Sequence, residues 1–289
     1  MLKQRIVATL IIKNGIVVQS IGFEKYLPIG NVYIAVEALN DWGIDEIVIL
    51  DIDASKQKKI ISSKMIKDLS KYSMVPLSIG GGIKTLEDIR LLLHSGADKV
   101  SLNQSFLNNP SFIKESSCIF GKQCIIVSLD IKKIDKEYYV YDYIKKSNVA
   151  TMNEYIVYAE SLGAGEILLN AVDNDGKKCG YDTKMINQAC DISTIPIIAQ
   201  GGAKDSNDFE DALKIKKLSA VAASNLFHYT EHSVTLIKSF LKKDIQYPIR
   251  LESSIKYKEN EFDEEGRLTK KSDETLELIS FETHEKEVI

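Results

Sequence analysis

No stretch of this 289-residue chain stays apolar for the ~20 residues that a membrane-spanning helix needs, so nothing in it points to a bilayer. The nearest approach is Ile6–Ile12, which follows a few basic residues. It is too short for a signal segment, no small-residue cleavage site follows Lys13-Asn14-Gly15, and a cytoplasmic protein is expected. A basic excess is also missing: 37 Lys and Arg against 41 Asp and Glu leave a net charge of −4, which argues against nucleic acid as a partner. Cysteine is scarce. Cys118, Cys124, Cys179 and Cys190 lack the paired close spacing of a zinc site or a redox dithiol and are expected to be reduced structural thiols. The four histidines include one i, i+4 pair, His228 and His232, but no acidic motif accompanies it and a metal site needs three or four ligands. Neither a metal nor a cofactor is expected.

Apolar patterning is plentiful. Short β-branched runs recur at Ile6–Leu10, Glu46–Leu50, Pro76–Ile79, Lys99–Leu102, Cys124–Leu129, Glu166–Leu169, Pro196–Ala199 and Ala220–Ala223. Helical patterns such as Leu86–His94, Met152–Leu162 and Phe209–Ile215 lie between them. Strands alternating with helices call for a parallel sheet. A doubly wound sheet satisfies the same alternation, and the count of eight favours a closed barrel.

An internal repeat strengthens that choice. Gly81-Gly82-Ile83-Lys84, with Asp88 following, recurs 120 residues later as Gly201-Gly202-Ala203-Lys204 with Asp208. Gly43–Ile47 recurs at the same offset as Gly163–Ile167, and Thr9–Lys13 matches Ser128–Lys132 at an offset of 119. A unit of four βα pairs is too long for a solenoid module. The expected fold is therefore a (β/α)₈ TIM barrel, residues 1–252, built from two homologous half-barrels. Residues 253–289 form a charged C-terminal tail with sparse apolar residues, expected to be disordered and dispensable for folding. Within it, Leu276–Phe281 alternates well enough to add one edge strand or dock on a partner.

Glycine-rich turns between a strand and a helix expose backbone N–H groups and the positive helix end to an anion. Gly80-Gly81-Gly82 follows the third strand and Gly201-Gly202 the seventh; the next strands end at Asn103 and Ala223-Ser224. Either turn alone would be explained by the tight bend that glycine permits, but the duplication suggests two phosphate sites and a bisphosphate ligand. Three carboxylates stand at strand ends: Asp51, Asp130 and, in the turn Asp173-Asn174-Asp175-Gly176, Asp175. Each could act as a general acid or base; helix capping fits Asp51 and Asp175 partly but not Asp130, which no helix follows directly. At the opposite strand ends Arg5, Glu46, Lys99 and Glu166 alternate in sign. They could close the bottom of the barrel as a salt-bridged ring, a place where residues normally serve stability.

With Gly80–Ile83, these motifs join Ala97-Asp98-Lys99-Val100-Ser101, Gly163–Leu169, Gly180-Tyr181-Asp182 and Ala222-Ala223-Ser224. Together, over residues 1 to about 252, the chain resembles the cyclase subunit of imidazole glycerol phosphate synthase. The resemblance implies a barrel that docks a glutaminase subunit at its bottom face and admits ammonia through a gate matching Arg5, Glu46, Lys99 and Glu166. Ammonia would then react at the top with a bisphosphorylated substrate. Phosphate-binding positions carry over to Gly81, Gly82, Asn103, Gly176, Gly201, Gly202, Ala223 and Ser224, and catalytic ones to Asp130, with Asp51 and Asp175 nearby. The chain departs from the family at the first strand, where Ile11 stands in place of a catalytic aspartate; Gln19, Asn170 and Gln200 are further departures on the same face. This pattern, with Leu50–Gln57, is similar to divergent second copies of the subunit associated with sugar amidation in surface polysaccharide synthesis. The two expectations are thus a cyclase of histidine biosynthesis and an ammonia-conducting scaffold with reduced chemistry of its own. The related single-chain isomerase fits less well, since it too would need the first-strand aspartate.

Overall fold

The computed structural model describes residues 3–242, 248–255, 257, 260–263, 266–272 and 274. Strands are β1 Arg5–Lys13, β2 Ile16–Ile21, β3 Lys25–Gly30, β4 Glu46–Asp51, β5 Leu77–Gly80, β6 Lys99–Leu102, β7 Ile125–Ile134, β8 Glu137–Asp142, β9 Ser147–Thr151, β10 Glu166–Ala171, β11 Ile197–Gln200 and β12 Ala220–Ala223. Helices are α1 Val32–Asp41, α2 Ala54–Gln57, α3 Ser63–Tyr72, α4 Leu86–His94, α5 Gln104–Asn108, α6 Ser111–Phe120, α7 Met152–Ser161, α8 Thr183–Ile192, α9 Ser206–Leu213 and α10 Ser233–Lys242.

Eight strands pair in parallel around a closed circuit, β1-β4-β5-β6-β7-β10-β11-β12 and back to β1. All eight expected runs are barrel strands, and the fold is the (β/α)₈ barrel that their alternation with helices implied. Period-two patterning explains the two cores. In β1, Ile6, Ala8, Leu10 and Ile12 pack outward under the helices, while Val7 joins Val48, Ile126, Leu168, Ile198, Ala220 and Ala222 in the barrel interior.

The halves repeat in three dimensions. Following β1, β2 pairs antiparallel to it and β3 antiparallel to β2, and β8 and β9 extend β7 in the same way. Neither hairpin has a counterpart among the strands expected from the sequence. The repeated Asp88 and Asp208 prove to be the third helical residues of matching capping boxes, with Thr85 opening α4 and Asp205 opening α9. Each glycine loop therefore enters its helix by the same joint.

The described part of the segment after α10 lies on the barrel wall. Ile249 bridges to Gln4 and is buried, Tyr257 is 4% exposed, and Phe262 meets Phe240 edge-on at 5.6 Å. Leu276–Phe281 lies outside the described residues. No helix among the described residues is long and apolar enough to cross a membrane.

Candidate active site

The carboxyl ends of the barrel strands open into a cavity of about 510 Å³. Ile11, Asp51, Asp130 and Asp175 all line it, as do Gly81, Gly82 and Asn103. Gly176, Gly201, Gly202, Ala223 and Ser224 do not.

Asp130, 6% exposed, is held between two amides. Asn170 Nδ2 donates to its Oδ1 at 3.2 Å and Asn103 Nδ2 to its Oδ2 at 3.1 Å. Gln104 Nε2 donates to Asn103 Oδ1 (3.2 Å) and to Oδ1 of the fully buried Asp142 (3.1 Å). Since carboxylates at both ends demand donors, every amide in the row has its orientation fixed. Burial pushes the Asp130 carboxyl up to about 7, with the amide hydrogen bonds pulling the other way and Asp175 adding to the rise. Such a group exchanges a proton readily at neutral pH, which is what an acid–base role requires.

The other two carboxylates have structural partners. Asp51 Oδ1 accepts from the N–H groups of Asp53 (3.0 Å) and Ala54 (3.1 Å), fastening the turn into α2. Asp175 Oδ2 accepts from Ser20 Oγ at 2.6 Å and from Phe23 N at 3.3 Å, tying the β2–β3 hairpin to the loop after β10. Burial raises both pKa values.

Strand register locates the missing carboxylate. Ile11 pairs with Leu50 across β1 and β4, and Asp130 pairs with Asn170 across β7 and β10. Leu50 and Asn170 are mates in the repeat, so Ile11 and Asp130 occupy equivalent places in the two halves.

The loops themselves are sterically committed. A Cβ on Gly82 would lie 1.7 Å from Lys59 O, and one on Gly202 would lie 2.1 Å from Gly180 O, each at a positive φ. Gly82 N donates to Ser55 Oγ at 3.3 Å.

Several cavity residues escaped the sequence reading: Lys13, Asp53 and Lys56 on one side, Tyr26 from β3, and Lys132, Tyr141, Tyr143 and Lys146 from β7 and the hairpin that follows. Lys13 Nζ is 3.0 Å from Asp53 Oδ1, and Lys132 Nζ stands 3.9 Å over the Tyr141 ring. Burial raises the Tyr143 hydroxyl to about 12. The one available signal was the density of tyrosine and lysine after Asp130.

At the opposite end, Arg5, Glu46, Lys99 and Glu166 form a closed four-membered ring. Arg5 pairs with both glutamates, and Lys99 Nζ lies 2.9 Å from Glu46 Oε1 and 2.9 Å from Glu166 Oε2. Ser78 Oγ adds a hydrogen bond to Glu46, which is 1% exposed. Burial works against the Arg5 charge, but the two carboxylates outweigh it and hold the guanidinium above its ordinary value. Between ring and cavity, Thr9 Oγ1 donates to Gln200 Oε1 across the interior at 2.7 Å.

The family model described as histidine biosynthesis protein matches residues 5–233, almost the whole barrel. The chain belongs to that family. Its relatives include a Vibrio vulnificus (strain YJ016) protein provisionally named imidazole glycerol phosphate synthase subunit hisF2. It is 40% identical over 269 residues, covering 92% of this chain and 98% of the relative. The imidazole glycerol phosphate synthase subunits HisF of Clostridium botulinum (strain Alaska E43 / Type E3) and Helicobacter hepaticus (strain ATCC 51449 / 3B1) are 38% and 40% identical over 251 and 253 residues. Each alignment covers 86% of this chain and 99% of the relative. The resemblance drawn from the motifs is therefore borne out, and with it the cyclase-subunit type of barrel.

Proposed function

We propose that this chain is the synthase partner of a glutaminase, taking ammonia at the ring and using it in the upper cavity on a phosphorylated ligand, as in imidazole glycerol phosphate synthase. The observation that carries this reading is the arrangement at the two ends of one barrel: a closed ring of two cations and two carboxylates below, and a cavity holding Asp130 above. An apolar interior of Val7, Val48, Ile126, Leu168, Ile198, Ala220 and Ala222 separates them, an environment that favours neutral ammonia over ammonium. Asp130, poised near neutrality, moves the proton that nitrogen addition and ring closure require. The relatives named for this synthase support the same assignment.

A second reading has one specific observation in its favour. Ring closure needs a proton donor and an acceptor on opposite sides of the intermediate, and Ile11 can be neither. In that reading the barrel serves as an ammonia-conducting scaffold for amidation of a surface polysaccharide sugar. Cyclase activity under saturating ammonium, which bypasses any glutaminase, separates the two. The first reading predicts turnover on the order of 1–10³ s⁻¹ in the natural chain, and the second predicts turnover lower by about 10²–10⁴, recovered at least partly in Ile11→Asp. No reaction in either form would refute the synthase assignment.

A further inference from the structure

Among the described residues, Asp142 is the one carboxylate residue with no exposed surface, and the proposed reaction does not use it. It ends β8, and its Oδ1 accepts from Ile144 N at 3.0 Å, Lys145 N at 3.1 Å and Gln104 Nε2 at 3.1 Å. The first two bonds shape the turn between β8 and β9, whose Tyr143 and Lys146 line the cavity; the third reaches across to α5. Burial works against the Asp142 charge, but the bonds from Lys145 N, Gln104 and Ile144 N outweigh it and hold the carboxyl below its ordinary value. Lys145 Nζ, on a mostly exposed side chain, lies 3.4 Å from the other oxygen. A neutral serine or asparagine would serve such a turn as well. The charge has a second effect, on Gln104.

A glutamine amide can turn over, exchanging its oxygen for its nitrogen, wherever its partner both gives and takes hydrogen bonds. Against ionised Asp142 it cannot, because a carboxylate only accepts. Gln104 Nε2 is thereby aimed at Asp142 and at Asn103 Oδ1 together, the latter at 3.2 Å. Asn103, bound through its oxygen, turns its Nδ2 to Ser128 O at 3.0 Å and to Asp130 Oδ2 at 3.1 Å. One of the two amide donors of Asp130 is therefore braced by a buried charge on a different element.

We propose that Asp142 and Gln104 are positioning residues for Asp130: they hold the Asn103 amide in place against it and bond the cavity wall of Tyr143 and Lys146 to it. This rests on the reading of Asp130 as the group that moves protons in the cavity. A ligand that settles against the β8–β9 turn bears on a segment joined to Asp130 through two amides. The titratable groups that act on Asp130 are Asp175 from the loop after β10, Asp142 from β8, Tyr26 from β3 and Tyr143 from the turn. Lys13, Asp51 and Lys132 share the cavity with it.

Carbon-13 NMR of the full chain labelled at its aspartate carboxyl carbons tests it, the Asp130 signal being assigned by its loss in Asp130→Asn. In the natural chain that signal should titrate at about 7. Gln104 is only partly buried, and Gln104→Leu cuts the row while keeping every charge. It should raise the midpoint by about 0.5–1 pH unit, since a carboxylate with a weakened donor holds its proton more tightly. Asn103→Ala should raise it at least as far, and adding Gln104→Leu to Asn103→Ala should change nothing more. Asp142→Asn separates the row from charge alone. Through space, removing a nearby carboxylate lowers the midpoint; through the row, an amide at 142 frees Gln104 to turn over and the midpoint rises. The inference predicts the rise. An unchanged or lower midpoint in Gln104→Leu or Asp142→Asn, or additive shifts in the double variant, would overturn it. No substrate enters the titration, so an absence of cyclase activity leaves its outcome untouched. Asp130 titrating in the natural chain near its ordinary 3.8 would instead remove the acid–base reading, and the inference with it.

Discussion

Asp130 stands in a wall almost closed to water, and the two amides that grip it offset only part of the desolvation that raises its carboxyl to about 7. Catalysis that uses it as a base should therefore fall as pH drops through 7, and Asp130→Asn should lower turnover by about 10²–10⁴. Stability moves the other way. Folded Asp130 retains its proton up to about 7, whereas the unfolded chain gives it up near 3.8, so stability declines as pH rises between those values. Asp130→Asn removes that penalty. It should be more stable than the natural chain at pH 8 by roughly 1–4 kcal/mol and nearly equal to it at pH 4, as read from urea unfolding at the two pH values. Ile11→Asp carries the opposite cost, roughly 1–3 kcal/mol, because it puts a carboxyl where only 7% of the residue is exposed. The equivalence of Ile11 and Asp130 was legible in the sequence because the repeat preserves register. The amide row around Asp130 was less so: Asn103 and Asn170 drew notice for other reasons, and Gln104 and Asp142 lie on separate elements that only the fold brings together.

At the scale of elements, the eight barrel strands were readable because β-branched runs recur at regular spacing and each is followed by a helical period. The four hairpin strands were not: β3, for example, is mostly exposed, so no buried face gave it an alternating pattern. Their seat depends on contacts such as Ser20 with Asn225, 205 residues apart, which no local signal encodes. The bond between Ser20 and Asp175 has a measurable consequence. Ser20→Ala removes the hydroxyl hydrogen bond to Asp175 and leaves a buried carboxylate one donor short, a loss of about 1.5–3 kcal/mol. Limited proteolysis should then cut between β2 and β3 sooner than in the natural chain, with the barrel left intact; unchanged cleavage would show that the hairpin is held by other contacts. The ring is likewise shared among elements, drawing one residue each from β1, β4, β6 and β10. Breaking it with Lys99→Met leaves Arg5 as the ring's one cation for Glu46 and Glu166 and should cost about 3–5 kcal/mol by chemical denaturation.

For the molecule as a whole, the closed barrel sets the two ends apart and gives each its own chemistry, with the described part of the segment after α10 packed along the outside. Tyr257 and Phe262 make that packing apolar, contrary to what a charge-rich composition suggests. Ending the chain after Leu251 should therefore lower the melting temperature by several degrees, given roughly 1.5–3 kcal/mol for a buried side chain such as Tyr257, to which the half-buried Phe262 adds less. The central claim, that this barrel works with a glutaminase bound at its ring face, is tested most directly by glutamine hydrolysis. A glutaminase subunit of the HisH type from the same organism is assayed alone and with an equimolar amount of the full chain, and the mixture is resolved by size exclusion. The account predicts a one-to-one complex and a clear rise in glutamine turnover. Separate elution of the two proteins, with turnover unchanged by this chain, would contradict it.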